Sequence, residues 1–218
     1  MQHEDVFALN GNKRAVIGWT KQFNDNSDPT DIIDTGTDMV WYGYIVGYKT
    51  AGDALVEKPF EDLDLLVYPI IFNYRQFIEL VLKNIYRKNN SVTLFTNWLN
   101  AVQHDLKKIW DSPPSSAGGM TVKSIVQSLA QNDPDINVAD IEAIIKDFIA
   151  LDKTSFESRY PITKNNDPVM DDLIADKGQN DQLHINLEAM ANNMNYLADM
   201  LYYTFDSDSY RIPPKMVE

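Results

Sequence analysis

The sequence predicts an all-α protein, an up-and-down bundle of about five helices preceded by an irregular N-terminal arm. Three observations carry that prediction. Residues 68–88 are long, apolar and helical in period, with Ile71, Tyr74, Ile78, Val81 and Ile85 forming one stripe. Near the end of the chain, Leu187, Met190, Met194, Leu197 and Leu201 step by threes and fours, the seam of a packed helix. No strand-like alternation of useful length and no internal repeat breaks the pattern.

The elements follow in order. Residues 1–36 are dense in Asn, Asp, Gly and Thr, notably Asn24-Asp25-Asn26-Ser27-Asp28-Pro29, and read as an arm lying over the core. The helical domain is expected over 37–218. Its first helix starts at Thr37, a suitable N-cap with Asp38 behind it. It runs through Trp41, Tyr44, Ile45, Tyr48, Ala51 and Leu55 to Lys58, where Pro59 stops it. Gly43 and Gly47 stand one turn apart on this helix. Small residues at that spacing suit close approach of another helix, inside the protomer or across a dimer seam.

The second helix is expected after a turn at Glu61-Asp62, with Pro69 in its first turn and Asn89-Asn90 closing it. Residues 91–111, carrying Thr93, Leu94, Phe95, Trp98, Leu99 and Val102, read as a helix leading into His104; a turn followed by a short helix is the alternative. The run 112–119, Ser-Pro-Pro-Ser-Ser-Ala-Gly-Gly, is the clearest breaker in the chain. A short helix through Val122, Ile125, Val126 and Leu129 ends at Asn132-Asp133-Pro134. Another runs from Val138 to Leu151 with Asn137 as its cap. A polar loop at 162–182 precedes the final helix, whose methionines read as core filler.

Composition bounds the chemistry. The chain has 218 residues, 44% apolar, which is ample for a sizeable core. It has no cysteine, so disulfides, thiolate metal sites and cysteine nucleophiles are excluded. Met1 to Arg14 holds no uninterrupted apolar run, and the longer apolar stretches are broken by Lys49, Asp53, Arg75 or Glu79. A cytoplasmic protein without membrane contact is the expectation. Net charge is −13, unevenly spread: residues 1–74 carry −7, residues 75–108 carry +4 and residues 109–218 carry −10. A phosphate backbone is attracted by clustered Lys and Arg. Contact with RNA or a nucleotide therefore belongs on the central segment, and the acidic flanks suit solubility or a basic protein partner.

Within that segment, Arg75, Glu79 and Lys83 form a ladder of four-residue steps, positive, negative, positive. It could present a guanidinium and an ammonium to phosphate with Glu79 orienting Arg75, or form an intrahelical salt-bridge series. His104, followed by Asp105, Lys107 and Lys108, could be a general base or a phosphate contact, or Asp105 could cap a helix with His104 packed at its start. Adjacent residues on a helix do not face one another, so His104 and Asp105 are not expected to form a dyad. Arg159 could clamp a ligand or pin its loop by bonding carbonyls.

Other chemistries lack their signatures. Asp167, Asp171, Asp172, Asp176 and Asp181 miss the alternation and central glycine of a calcium loop. Ser112, Ser115 and Ser116 sit in no nucleophile elbow, and neither a phosphate-cradling glycine loop nor a zinc-protease pair occurs. No metal or cofactor is expected.

Four pieces, in order, resemble a group of bacterial proteins with a HEPN-like helical bundle. They are the stretch from Tyr48 to Val56, the stretch from Tyr68 to Lys83, His104-Asp105-Leu106 with Ile109-Trp110, and Phe148 and Asp152 through Ser155 to Arg159-Tyr160-Pro161. Together they cover roughly residues 40–205. The resemblance implies an all-α domain, often a dimer, from a superfamily rich in RNases, toxins, antiphage proteins and inactive relatives. Its active members carry an Arg followed four to six residues later by a His. Here no Arg precedes His3, His104 or His184 at that distance. The expectation is thus a non-catalytic HEPN-like protein binding RNA, nucleotide or a protein partner, with a role in bacterial stress or phage defence implied by the resemblance alone. An acidic dimeric scaffold or antitoxin-like subunit, and an RNase with non-standard residues, are the alternatives.

Overall fold

The computed structural model of this chain describes residues 32–112, 119–152, 155, 158–162, 171–177 and 182–201. Among them lie eight helices and no strand, only single bridge positions at Ile162 and Gln182. The chain is an all-α bundle, as its periodicity predicts. Residues 1–43 and 44–218 are two compact units, and the packing below is that of the second.

Helix α1 (Ile32–Val56) starts before Thr37, so the last residues of the expected arm are helical. Gly36 is absorbed, since an isolated glycine costs a helix only about 1 kcal/mol. The arm's first 31 residues lie outside the described set. Helix α2 (Phe60–Asn89) likewise starts earlier than expected, taking Glu61 and Asp62 into its first turn, where acidic groups suit the helix dipole. Pro69 is therefore inside the helix rather than in its first turn. It stands at the junction of two regimes. Before it the helix is open, with Phe60 83% and Leu65 78% exposed; after it Ile70, Ile71 and Tyr74 are fully buried. A backbone bond lost at the proline thus falls where solvent reaches the chain.

The 91–111 segment forms the expected helix leading into His104, and a turn and a second, short helix follow it. Helix α3 (Val92–Val102) ends at Gln103, whose φ of 50° turns the chain. Helix α4 (Leu106–Asp111) begins on Asp105, whose carboxylate accepts from the Lys108 N–H at 3.1 Å. A capping Asp competes with helix continuation, which is why the two do not merge. Thr121 caps α5 (Val122–Asn132) and Asn137 caps α6 (Val138–Leu151). Within the expected polar loop, residues 171–177 form the short helix α7 (Asp171–Lys177). There Leu173 and Ala175, good helix formers, prevail locally. Of the expected breaker at 112–119, residues 113–118 are outside the described set. The last helix, α8 (Leu187–Leu201), carries the predicted seam: Met190, Met194, Leu197 and Leu201 are buried.

Helix α2 is the hub, with α3, α4, α5, α6 and α8 all packed on it. Its Ile70, Phe77, Leu82 and Ile85 share the core with Leu106 and Ile109 of α4, Val126 of α5, Ile141 of α6 and Met194 of α8. Each such burial contributes about 1.5–3 kcal/mol. Tyr86 stacks on Trp98 with ring centres 3.9 Å apart and planes 4° from parallel, docking α3. The glycine that admits a neighbouring helix is Gly52: a Cβ there would lie 2.5 Å from the Tyr74 ring. At Gly43 and Gly47 a Cβ would meet nothing within 4 Å among the described residues. Tyr74 also donates to Asp53 at 2.9 Å, and Lys49 bridges Asp53 and Asn195 of α8.

By length and composition α2 alone among the described helices could cross a membrane. Half of its most apolar window is buried by protein, as in a core helix.

Candidate functional site

The polar ladder of α2 is the centre of the site, and it faces inward. Arg75 is 0% exposed and Glu79 2%. Four-residue spacing sets Arg75 Nη1 2.9 Å from Glu79 Oε2 and Lys83 Nζ 2.7 Å from Glu79 Oε1. The spacing predicted these pairs; the burial came from neighbours far along the chain. Arg75 spends its remaining donors on tertiary contacts. Nε donates to the Asp152 carbonyl at 3.1 Å and Nη2 donates to the His104 carbonyl. The Asp152 carboxylate lies 3.8 Å from Arg75 Nε and accepts from both the backbone N–H and the hydroxyl of Ser158. Two cations and two carboxylates thus neutralise one another beneath the surface.

His104 closes this network from outside. Its Nδ1 lies 2.8 Å from Glu79 Oε1, yet the side chain is 60% exposed. The partner of His104 is therefore Glu79, 25 residues away, and not the adjacent Asp105, which caps α4. Burial alone would push the Glu79 carboxyl up; Lys83, then Arg75 and the His104 hydrogen bond, hold it below its ordinary range. Glu79 therefore stays charged and faces the imidazole as an acceptor.

The remaining candidates fall at the edge. Lys107 and Lys108 are exposed on α4, Lys108 lying 3.5 Å from Asp105. Arg159 is exposed, donates through Nε to the Ser155 carbonyl and lies over the Tyr160 ring, so it pins its own loop. That loop turns at Ser155, whose φ is 64° and whose hydroxyl accepts from Gln76 of α2 at 3.2 Å. Arg75 and Lys83, expected to meet an anion, offer it almost no surface. His104, Lys107 and Lys108 do.

No family model, no curated protein and no solved structure matches this chain.

Among the described residues no group of three or more His, Asp or Glu could hold a metal ion. Asp167 and Asp181 of the acidic loop lie outside the described set. The residues that sequence reasoning missed as site partners are Asp152 and Ser158. Asp152 carried a signal, as part of the pattern that leads to Arg159, but a buried acceptor for Arg75 is a tertiary fact that no local spacing contains. Chemically, the arrangement presents one orientated imidazole and two ammonium groups on a rigid neutral base.

Proposed function

We propose that this is a HEPN-like helical protein that binds the phosphates of RNA or a nucleotide at the surface formed by His104, Lys107 and Lys108. The single observation that carries the reading is the outward imidazole of His104, fixed from below by Glu79, with two exposed lysines three and four residues on. The buried ladder supports that surface rather than touching the ligand. The HEPN-like part of the proposal rests on the four sequence pieces alone, as do dimerisation and a role in defence.

Binding of a short mixed-sequence RNA, followed by fluorescence anisotropy across a salt series, tests it. Each phosphate neutralised on a single strand contributes about 0.7 to the slope of log affinity against log salt. Lys107→Ala with Lys108→Ala is expected to lower that slope by about 1.4. An unchanged slope overturns the proposal.

A second reading, an acidic protein-interaction scaffold, is favoured by one observation. Exposed Phe60 and Leu65 are interleaved with Glu61, Asp62 and Asp64 on the open limb of α2, a surface for a basic partner. Capture of a protein from native extract that survives nuclease treatment and is lost in Leu65→Glu supports it. RNase activity centred on His104 is the third reading, and mixed-RNA cleavage abolished by His104→Ala separates it from the other two.

A further inference from the structure

We propose that Nε2 of His104 is a phosphoryl acceptor, a nucleophile that takes a phosphoryl group from an activated donor such as a phosphoramidate. The inference shares the outward imidazole with the binding surface above but does not require that the bound anion be RNA.

Glu79 Oε1 lies 2.8 Å from His104 Nδ1 and already accepts from Lys83 Nζ at 2.7 Å. An imidazole lone pair aimed at a carboxylate oxygen at that distance would be repelled, so Nδ1 carries the proton. In the neutral ring the lone pair then resides on Nε2. Glu79 is buried and the imidazole largely exposed, so the Nδ1 edge faces inward and the Nε2 edge outward. A carboxylate behind Nδ1–H fixes the tautomer and the orientation of the ring, as it does for metal-bound histidines. The residue is held twice, by Glu79 at the ring and by Arg75 at its carbonyl, so little ordering remains to be done at reaction.

The step balances without a further reactant. The Nε2 lone pair attacks phosphorus of the N-protonated (zwitterionic) phosphoramidate, the P–N bond breaks, and the –NH3+ nitrogen takes the electron pair and leaves as ammonia. The phosphorylated ring keeps Nδ1–H and is cationic, and that charge faces the Glu79 carboxylate, so no proton has to depart. Lys107 and Lys108 are exposed three and four residues on, Lys108 beside Asp105.

The test incubates the whole protein with potassium phosphoramidate, without RNA, and follows each histidine by mass spectrometry at neutral pH and by phosphorus NMR. His184, exposed ahead of α8, is the internal reference. His104 is expected to label about tenfold faster than His184, at Nε2 only. Glu79→Gln is expected to remove most of that advantage and to leave His184 unchanged. Equal rates at the two histidines, or an Nδ1 adduct at His104, overturn the inference; both are read in the wild-type chain, so a misfolded variant does not obscure the answer. Selective labelling with an unchanged salt slope in the lysine variant would overturn the RNA reading alone. The converse would overturn this one alone.

Discussion

Arg75 joins three parts of the chain through one planar group: Glu79 on its own helix, the His104 carbonyl and the Asp152 carbonyl. Removing it leaves Glu79 and Asp152 buried with fewer cations, a change that costs about 3–5 kcal/mol. Arg75→Ala is therefore expected to lose that much stability in urea unfolding. Arg75→Lys should recover only part of it, because a single ammonium nitrogen cannot reach the three acceptors that Nε, Nη1 and Nη2 of the planar guanidinium serve. Glu79 sets the response to acid. Its carboxyl is held below the ordinary value of 4.5, so the unfolded chain takes up this proton more readily than the folded one. The stability it contributes is complete above that value and is lost as pH falls through the lower folded value. Stability measured against pH should fall through the acid range in the wild type, and Glu79→Gln should be less stable near neutrality and flatter below pH 4.5. At this scale the sequence displayed the charges and their order along α2. It did not display their burial, which depends on Asp152 and His104 arriving from elsewhere.

Among the elements, α2 divides at Pro69. Its first limb is open and its second is the core, so amide exchange should be fast over 60–68 and slow over 70–86, measured by mass spectrometry on the native protein. Uniform protection along the helix would contradict that division. The glycines of α1 behave differently from one another. Gly52→Ala should destabilise by about 1–3 kcal/mol, because Tyr74 is fully buried and cannot yield. Gly47→Ala meets open space and should stabilise by about 0.5–1 kcal/mol through helix propensity. Thermal or urea melts of the two variants give the signs. The sequence pointed to Gly43 and Gly47 through their spacing, whereas close packing falls on Gly52, opposite a large ring. Spacing identifies a face; only the partner decides which glycine is needed. Caps were legible at Asn137 and Asp105, where capping is settled within three residues, but not at Thr37, which lies inside α1.

For the molecule as a whole, the all-α class was legible from period alone, since the stripes at Ile71–Ile85 and Leu187–Leu201 match the buried faces. The hub role of α2 was not, because an apolar helix does not state how many neighbours cover it. The same holds for the site. Arg75 and His104 were singled out from composition and order, and they do meet, but the bond that defines His104 runs to Glu79 through the fold. A neutral buried network that fixes one surface imidazole is the central claim. Long-range proton–nitrogen NMR of the histidine rings tests it most directly. Neutral His104 is expected to carry its proton on Nδ1, and Glu79→Gln to change its ring nitrogen shifts while His184 keeps its own. A proton on Nε2 of neutral His104, or shifts unaffected by Glu79→Gln, would contradict it.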